Sequence, residues 1–152
     1  VPLLAAALAL AVLVAAVLGF ELVRARSADR AGAEALATAR AYAVTVTTYD
    51  YKTLDKSFAD VLDGATGEFR TQYDGASRSL RQLITEARST SQGTVLDAGI
   101  RSVDPDRVVV LAFVDQTITN AVSAQPKIDR IRVVMTLTPH DGRWLVEKLE
   151  LT

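Results

Sequence analysis

Cysteine is absent from this chain of 152 residues, so disulfides, thiolate metal sites and cysteine nucleophiles are excluded. Histidine occurs once, as His140, and no His/Asp/Glu cluster has ligand spacing, which argues against zinc or iron chemistry. Charge of one sign is lacking too: 17 Lys and Arg stand against 18 Asp and Glu, with no block of either. A nucleic-acid binder carries a basic patch or stripe, so that class drops out. No Ser/His/Asp set, phosphate-binding loop or dinucleotide fingerprint occurs. Neither a cofactor nor an enzyme is expected.

What is present is a long run without charge, from Val1 to Phe20. Hydrocarbon leaves no partner for backbone N–H and C=O groups, so such a run spans as a helix, and about twenty residues cover one bilayer core of roughly 30 Å. A signal peptide is the competing reading, but its apolar core is shorter, about 7 to 15 residues. The run is read as a retained anchor over 1–23. Arg24, Arg26 and Arg30 follow it, yet the chain does not begin with Met, so upstream residues are expected and the positive-inside count is one-sided. Within the span Ala7, Ala11, Ala15 and Gly19 form a row of small residues four apart. Such rows let helix backbones approach closely and drive association in lipid, although an alanine-rich span also produces them by chance.

An Ala-rich stretch over 24–49 predicts a juxtamembrane helix, with Leu36, Ala39, Ala43 and Val46 as its docking stripe and a β-branched end at Thr45–Thr48. Over 50–152 the pattern predicts an α+β domain. A short helix carries Leu54, Phe58, Val61 and Leu62 on one face, with Gly64 just past its end. Thr66 reads as the N-cap of a second helix, whose stripe is Phe69, Tyr73, Ala76, Leu80, Leu83, Ile84 and Ala87. Ser91-Gln92-Gly93 reads as its stop. Period two then predicts strands over 94–103, 107–120, 130–138 and 143–151, with Asp141-Gly142 as a hairpin turn. In the second strand both Val108, Val110, Ala112, Val114 and the opposite row Val109, Leu111, Phe113 are apolar, so cover is expected on both faces. Helices followed by antiparallel strands give helices packed on a curved sheet.

Few residues invite chemistry. Asp115, on the face of Phe113, is a candidate general base if the sheet is cupped there, but emergence of the strand into solvent is the plainer reading and no second titratable partner is visible. Val109, Leu111, Phe113 and Asp115 together are the candidate lining of a pocket. His140 reads as a solvated turn residue, and Tyr49, Tyr51 and Tyr73 as core aromatics.

Tyr49-Asp50-Tyr51 with Leu54-Asp55, Ala65-Thr66-Gly67-Glu68-Phe69, Val114-Asp115-Gln116-Thr117 and Asp141-Gly142-Arg143-Trp144-Leu145-Val146, in that order after one anchor, resemble the Mce-associated membrane proteins of actinobacteria. The resemblance implies a single-pass inner-membrane protein with a periplasmic, cone-shaped domain of the nuclear transport factor two type. It further implies a non-catalytic accessory or stabilising subunit of an Mce transporter that moves fatty acids or sterols, with Mce proteins, permease helices and membrane lipid as partners. A periplasmic lipid-binding module, and an assembly scaffold of a secretion apparatus, are the alternatives.

Overall fold

Alanine is the strongest helix former, and the Ala-rich first third of the chain is one unbroken helix. In the computed structural model, which describes residues 11–123 and 125–152 throughout and residues 2–10 as helical backbone alone, α1 runs Pro2–Thr47. Then come β1 (Tyr49–Asp50), α2 (Leu54–Asp63), α3 (Gly67–Glu86), β2 (Thr90–Asp104), β3 (Arg107–Thr119), β4 (Lys127–His140) and β5 (Arg143–Leu151). The five strands form one antiparallel sheet in chain order, β1-β2-β3-β4-β5. Asp141 and Gly142, at φ 48 and 79, make the two-residue turn between β4 and β5 that the Asp-Gly pair predicts.

The core lies between the inner sheet face and the helices. Val108, Val110, Ala112 and Val114 of β3 and Val133, Met135 and Leu137 of β4 are 0–1 % exposed. Ala35, Ala39, Tyr42 and Ala43 of α1 close over them, joined by Val61 and Phe69 from α2 and α3. The last turns of α1 are thus core of the head, not a connector leading to it. The helix runs alongside β2 in the opposite sense: Gly32 lies against Ile100 and Val103, Arg40 bonds Asp97 and the Ala98 carbonyl, and Thr47 meets Ser91.

The anchor expected over 1–23 lies partly outside the described side chains. Among the described residues no helix is long and apolar enough to cross a membrane, and the side chains of 1–10, Ala7 included, lie outside the described residues. What the structure shows is the 11–23 part of α1 with Val12, Leu13, Leu18, Phe20 and Val23 each more than 60 % exposed. Ala11, Ala15 and Gly19 are exposed as well.

Three local expectations are corrected. Ser91-Gln92-Gly93 does not stop a helix; it lies within β2, because Ser91 and Gly93 are buried against the end of α1. Thr66 does hold the N-cap position of α3, but without a side-chain bond: its extended backbone N–H donates to the Val146 carbonyl of β5. The α3 stripe buries Phe69 alone: Leu80 and Ile84 line a small cavity against α1 and α2, and Leu83 is 63 % exposed.

Candidate functional site

Helix termini leave backbone carbonyls without intrahelical partners, and the C-terminus of α2 satisfies three of them with side chains from three other elements. The Tyr42 hydroxyl of α1 donates to the Val61 carbonyl at 2.6 Å. Arg70 of α3 donates to the Leu62 carbonyl, and Arg143 of β5 donates to the Asp63 carboxylate at 2.6 Å and more weakly to its carbonyl. Two guanidinium groups at a helix C-terminus also suit its partial negative charge. Gly64 follows, and a methyl group there would overlap the Tyr42 ring. Burial pushes the Tyr42 phenol far above its ordinary pKa, with Tyr73 adding to the rise. The hydrogen bond and charge of Arg143 hold the Asp63 carboxyl below its ordinary value.

Beside this junction lies a cleft of about 620 Å³ between α1, the end of α2 and the β4–β5 turn. Ala37 and Ala41 line it from α1 and Trp144 from β5, and its carboxylates Glu34, Asp60 and Asp63 are paired with Arg30, Lys56 and Arg143. No group of three or more metal-binding side chains occurs among the described residues. A second cavity of about 120 Å³ lies under α3, walled by Val46, Phe58, Tyr73, Leu80 and Ile84. Ligand pockets usually hold about 300–1,000 Å³, so this space suits a few methylene groups rather than a lipid. Burial pushes the Tyr73 phenol up to about 12.

The candidate pocket lining lies elsewhere. Val109, Leu111, Phe113 and Asp115 alternate with the buried row of β3, so they sit on the sheet face turned away from the helices. Phe113 is 40 % exposed. They line no cleft described above; they form an open face. Asp115 has Arg130 at 3.9 Å, and its Oδ1 is buried without a hydrogen bond. The arrangement places Asp115 on an open face with Arg130 as its ion-pair partner. Gln116, its neighbour, points inward, and its Nε2 donates to Ser91 Oγ at 2.8 Å and to the Thr47 carbonyl at 3.3 Å. With Ser91 Oγ donating to the same carbonyl at 2.7 Å, it caps α1.

His140 is exposed beside Thr138 Oγ1 at 3.0 Å. Tyr73 stacks at a tilt between Phe58 and Phe69, with ring centroids 5.7 and 5.8 Å away. Tyr49 reaches Ser89 at 3.5 Å and Tyr51 lies under Lys52, both half-buried rather than core. The residue that sequence reasoning missed is Tyr42. Its spacing of three from Ala39 and four from Thr38 was the available signal, but one aromatic among alanines did not define a stripe.

Known proteins share this fold. An IcmL-like type IV secretion system protein from Legionella pneumophila superposes with a TM-score of 0.66 at 14 % identity, covering 79 % of this chain and 91 % of that one. The periplasmic domain of DotI gives 0.66 at 13 %, covering 77 % and 91 %. VirB8 of Agrobacterium tumefaciens gives 0.60 at 11 %, covering 76 % and 88 %. The fold is therefore the α+β type, helices on an antiparallel sheet, of the nuclear transport factor two-like and VirB8-type domains. In sequence, the protein Rv1362c of Mycobacterium tuberculosis H37Rv is 31 % identical over 115 residues, which is 75 % of this chain. The match is 52 % of that relative, so the chain spans about half the length of the curated relatives it matches. The family model described as "Uncharacterized protein Rv1363c/MT1408-like" matches residues 2–152, and the chain belongs to that family.

Proposed function

We propose that this chain is a scaffold subunit of an envelope assembly: a catalytically silent head carried on a helical stalk, placed beside other membrane proteins. The observation that carries this reading is α1 itself. Its inner turns are core of a VirB8-type head, while its 11–23 part leaves that head bearing exposed Val, Leu and Phe side chains. Apolar helix surface of that extent is covered by lipid or by a partner. The likeness to type IV secretion proteins supports assembly work over substrate handling.

In this reading α1 tethers the protein to the inner membrane in a single pass, with the head on the periplasmic side. The row Ala11, Ala15 and Gly19 is the face offered to a neighbouring helix, and the cleft with Trp144 is the face offered to a neighbouring head. The motifs shared with Mce-associated proteins make a lipid importer one partner complex; the fold makes a secretion-type assembly the other, and we favour the second.

The test is in-cell crosslinking of the full tagged chain, solubilisation in mild detergent and mass spectrometry of the complex. Recovery with multi-span subunits of a secretion-type assembly is the expected result, and Mce permease subunits instead would move the assignment to the importer. A lone chain with no membrane partner, or release of the protein from membranes by alkaline carbonate, would overturn the reading.

A further inference from the structure

The three helices do not close completely on one another. Where the last turns of α1, the middle of α2 and the far half of α3 converge, they leave the cavity of about 120 Å³. Val46, Phe58, Val61, Leu80 and Ile84 give it apolar walls, and among the described residues no charged side chain lines it. Phe58 and Val61 are 5 % and 1 % exposed, so that side is fixed core. Leu80 and Ile84, one turn apart on α3, are only half-buried. Protein interiors pack like organic crystals and seldom keep a void larger than a water molecule. A dry apolar cavity of about 150 Å³, by contrast, takes up benzene. The space here falls in that class.

Water is the competing occupant, and the hydroxyls argue against it. A buried water needs about two to four polar partners. Thr45 Oγ1 turns back to the Ala41 carbonyl at 3.2 Å, and Ser57 Oγ to the Thr53 carbonyl at 3.4 Å. Thr48 Oγ1 accepts from the Gly93 N–H at 3.1 Å, and Tyr49 Oη lies 3.5 Å from Ser89 Oγ. Tyr73 is the wall hydroxyl left without a partner among the described residues. Burial raises its pKa to about 12, and no hydrogen bond offsets that rise. The cavity thus combines apolar walls with one unspent donor.

We propose that this cavity is a binding site for a small neutral molecule carrying one aromatic ring and one oxygen, of the size of phenol. The ring packs beside Phe58 and Tyr73, whose centroids lie 5.7 Å apart at a tilt, and against Leu80 and Ile84. The oxygen accepts from the Tyr73 hydroxyl. Charged ligands are refused, because no wall residue would compensate their lost hydration. A bound ring completes the packing that α3 lacks over its far half and ties that half to α1 and α2. The site goes beyond the scaffold reading and does not depend on it.

The test is methyl NMR of the full chain in mild detergent, titrated separately with benzene, phenol and indole. Benzene and phenol should shift the Val46, Leu80 and Ile84 methyls saturably. The exposed Val12 and Leu13 methyls report entry of the probe into detergent and should drift without saturating. Phenol should bind about fivefold tighter than benzene, the worth of one hydrogen bond. Indole, larger by a fused ring, should bind at least about fivefold more weakly than phenol. Tyr73→Phe should abolish the preference for phenol and leave benzene binding in place; comparing that ratio between the two chains cancels partition into detergent. Ile84→Phe fills the space and should lose both ligands, with Leu80→Phe as a second filling variant. Unchanged Trp144 fluorescence checks that the heads remain folded. Shifts that do not saturate with any of the three probes would make the cavity a water site and overturn the proposal. So would saturable shifts that persist in both filling variants, or a preference for phenol that survives in Tyr73→Phe.

Discussion

The Tyr42 hydroxyl and the Val61 carbonyl meet at 2.6 Å inside the head, and this contact fastens the end of α2 to the buried face of α1. The carbonyl belongs to the last turn of α2, where the helix supplies no partner. Tyr42→Phe keeps the ring and leaves that oxygen buried and unpaired, which should cost about 1–3 kcal/mol. Denaturant titration followed by the lone tryptophan, Trp144, measures it. A loss below about 0.5 kcal/mol would show that the carbonyl finds another donor.

Two glycines should respond with opposite signs. A methyl group at Gly93 would overlap Thr47, whose hydroxyl already bonds the Ala43 carbonyl at 2.6 Å, so Gly93→Ala should destabilise the head by about 1–3 kcal/mol. Gly75 lies in mid-helix with nothing near, and Gly75→Ala should stabilise by about 0.5–1 kcal/mol. The same titration reads both, and a shared sign would contradict the packing described.

The Asp63–Arg143 pair should survive mild acid. Its carboxyl is held below the ordinary value first by the hydrogen bond and then by the charge of Arg143. A carboxylate with a lowered folded pKa adds stability above the unfolded value and loses it as pH falls through the folded one. The contact is therefore intact at neutral pH and opens only in acid, below the pH at which a free aspartate takes up its proton. Carboxyl-carbon NMR of Asp63 follows it directly; a midpoint at or above that of free aspartate would refute the bond. Both side chains are more than half exposed, so global stability should scarcely move.

Core and stripe positions should separate by an order of magnitude. Met135 is fully buried, and Met135→Ala should cost about 2–5 kcal/mol. Leu83, on the predicted stripe of α3 but 63 % exposed, should cost no more than about 0.5 kcal/mol when changed to Ala. Comparable losses would mean that α3 packs along its whole length.

What the sequence disclosed follows from how local each signal is. Period two placed β3 and β5 almost to the residue, and Asp141-Gly142 announced its turn because only a positive-φ pair closes that hairpin. The α3 stripe was legible as a pattern but not as burial, since nothing local says which turns of a helix find a neighbour. Ser91 and Gly93 misled for a similar reason. Small polar residues signal a turn unless another helix end descends on them, and Thr47 does so here. The apolar outer row of β3 was read as covered on both faces, whereas the structure leaves its outer face open, with Phe113 40 % exposed. Candidate contacts in the cleft were the least visible, because Ala37, Asp63 and Trp144 lie far apart in the chain and meet only through the fold.

One mechanical outcome follows from α1 being continuous from its exposed apolar part to its buried last turns. Between Arg24 and Gly32 the helix acts as a stiff spindle about 12 Å long at about 1.5 Å per residue, so the direction in which the head looks is geared to its root. Inserting one residue there would swivel the head by about 100°, whereas inserting seven would raise it by about 10 Å and leave its bearing nearly as before.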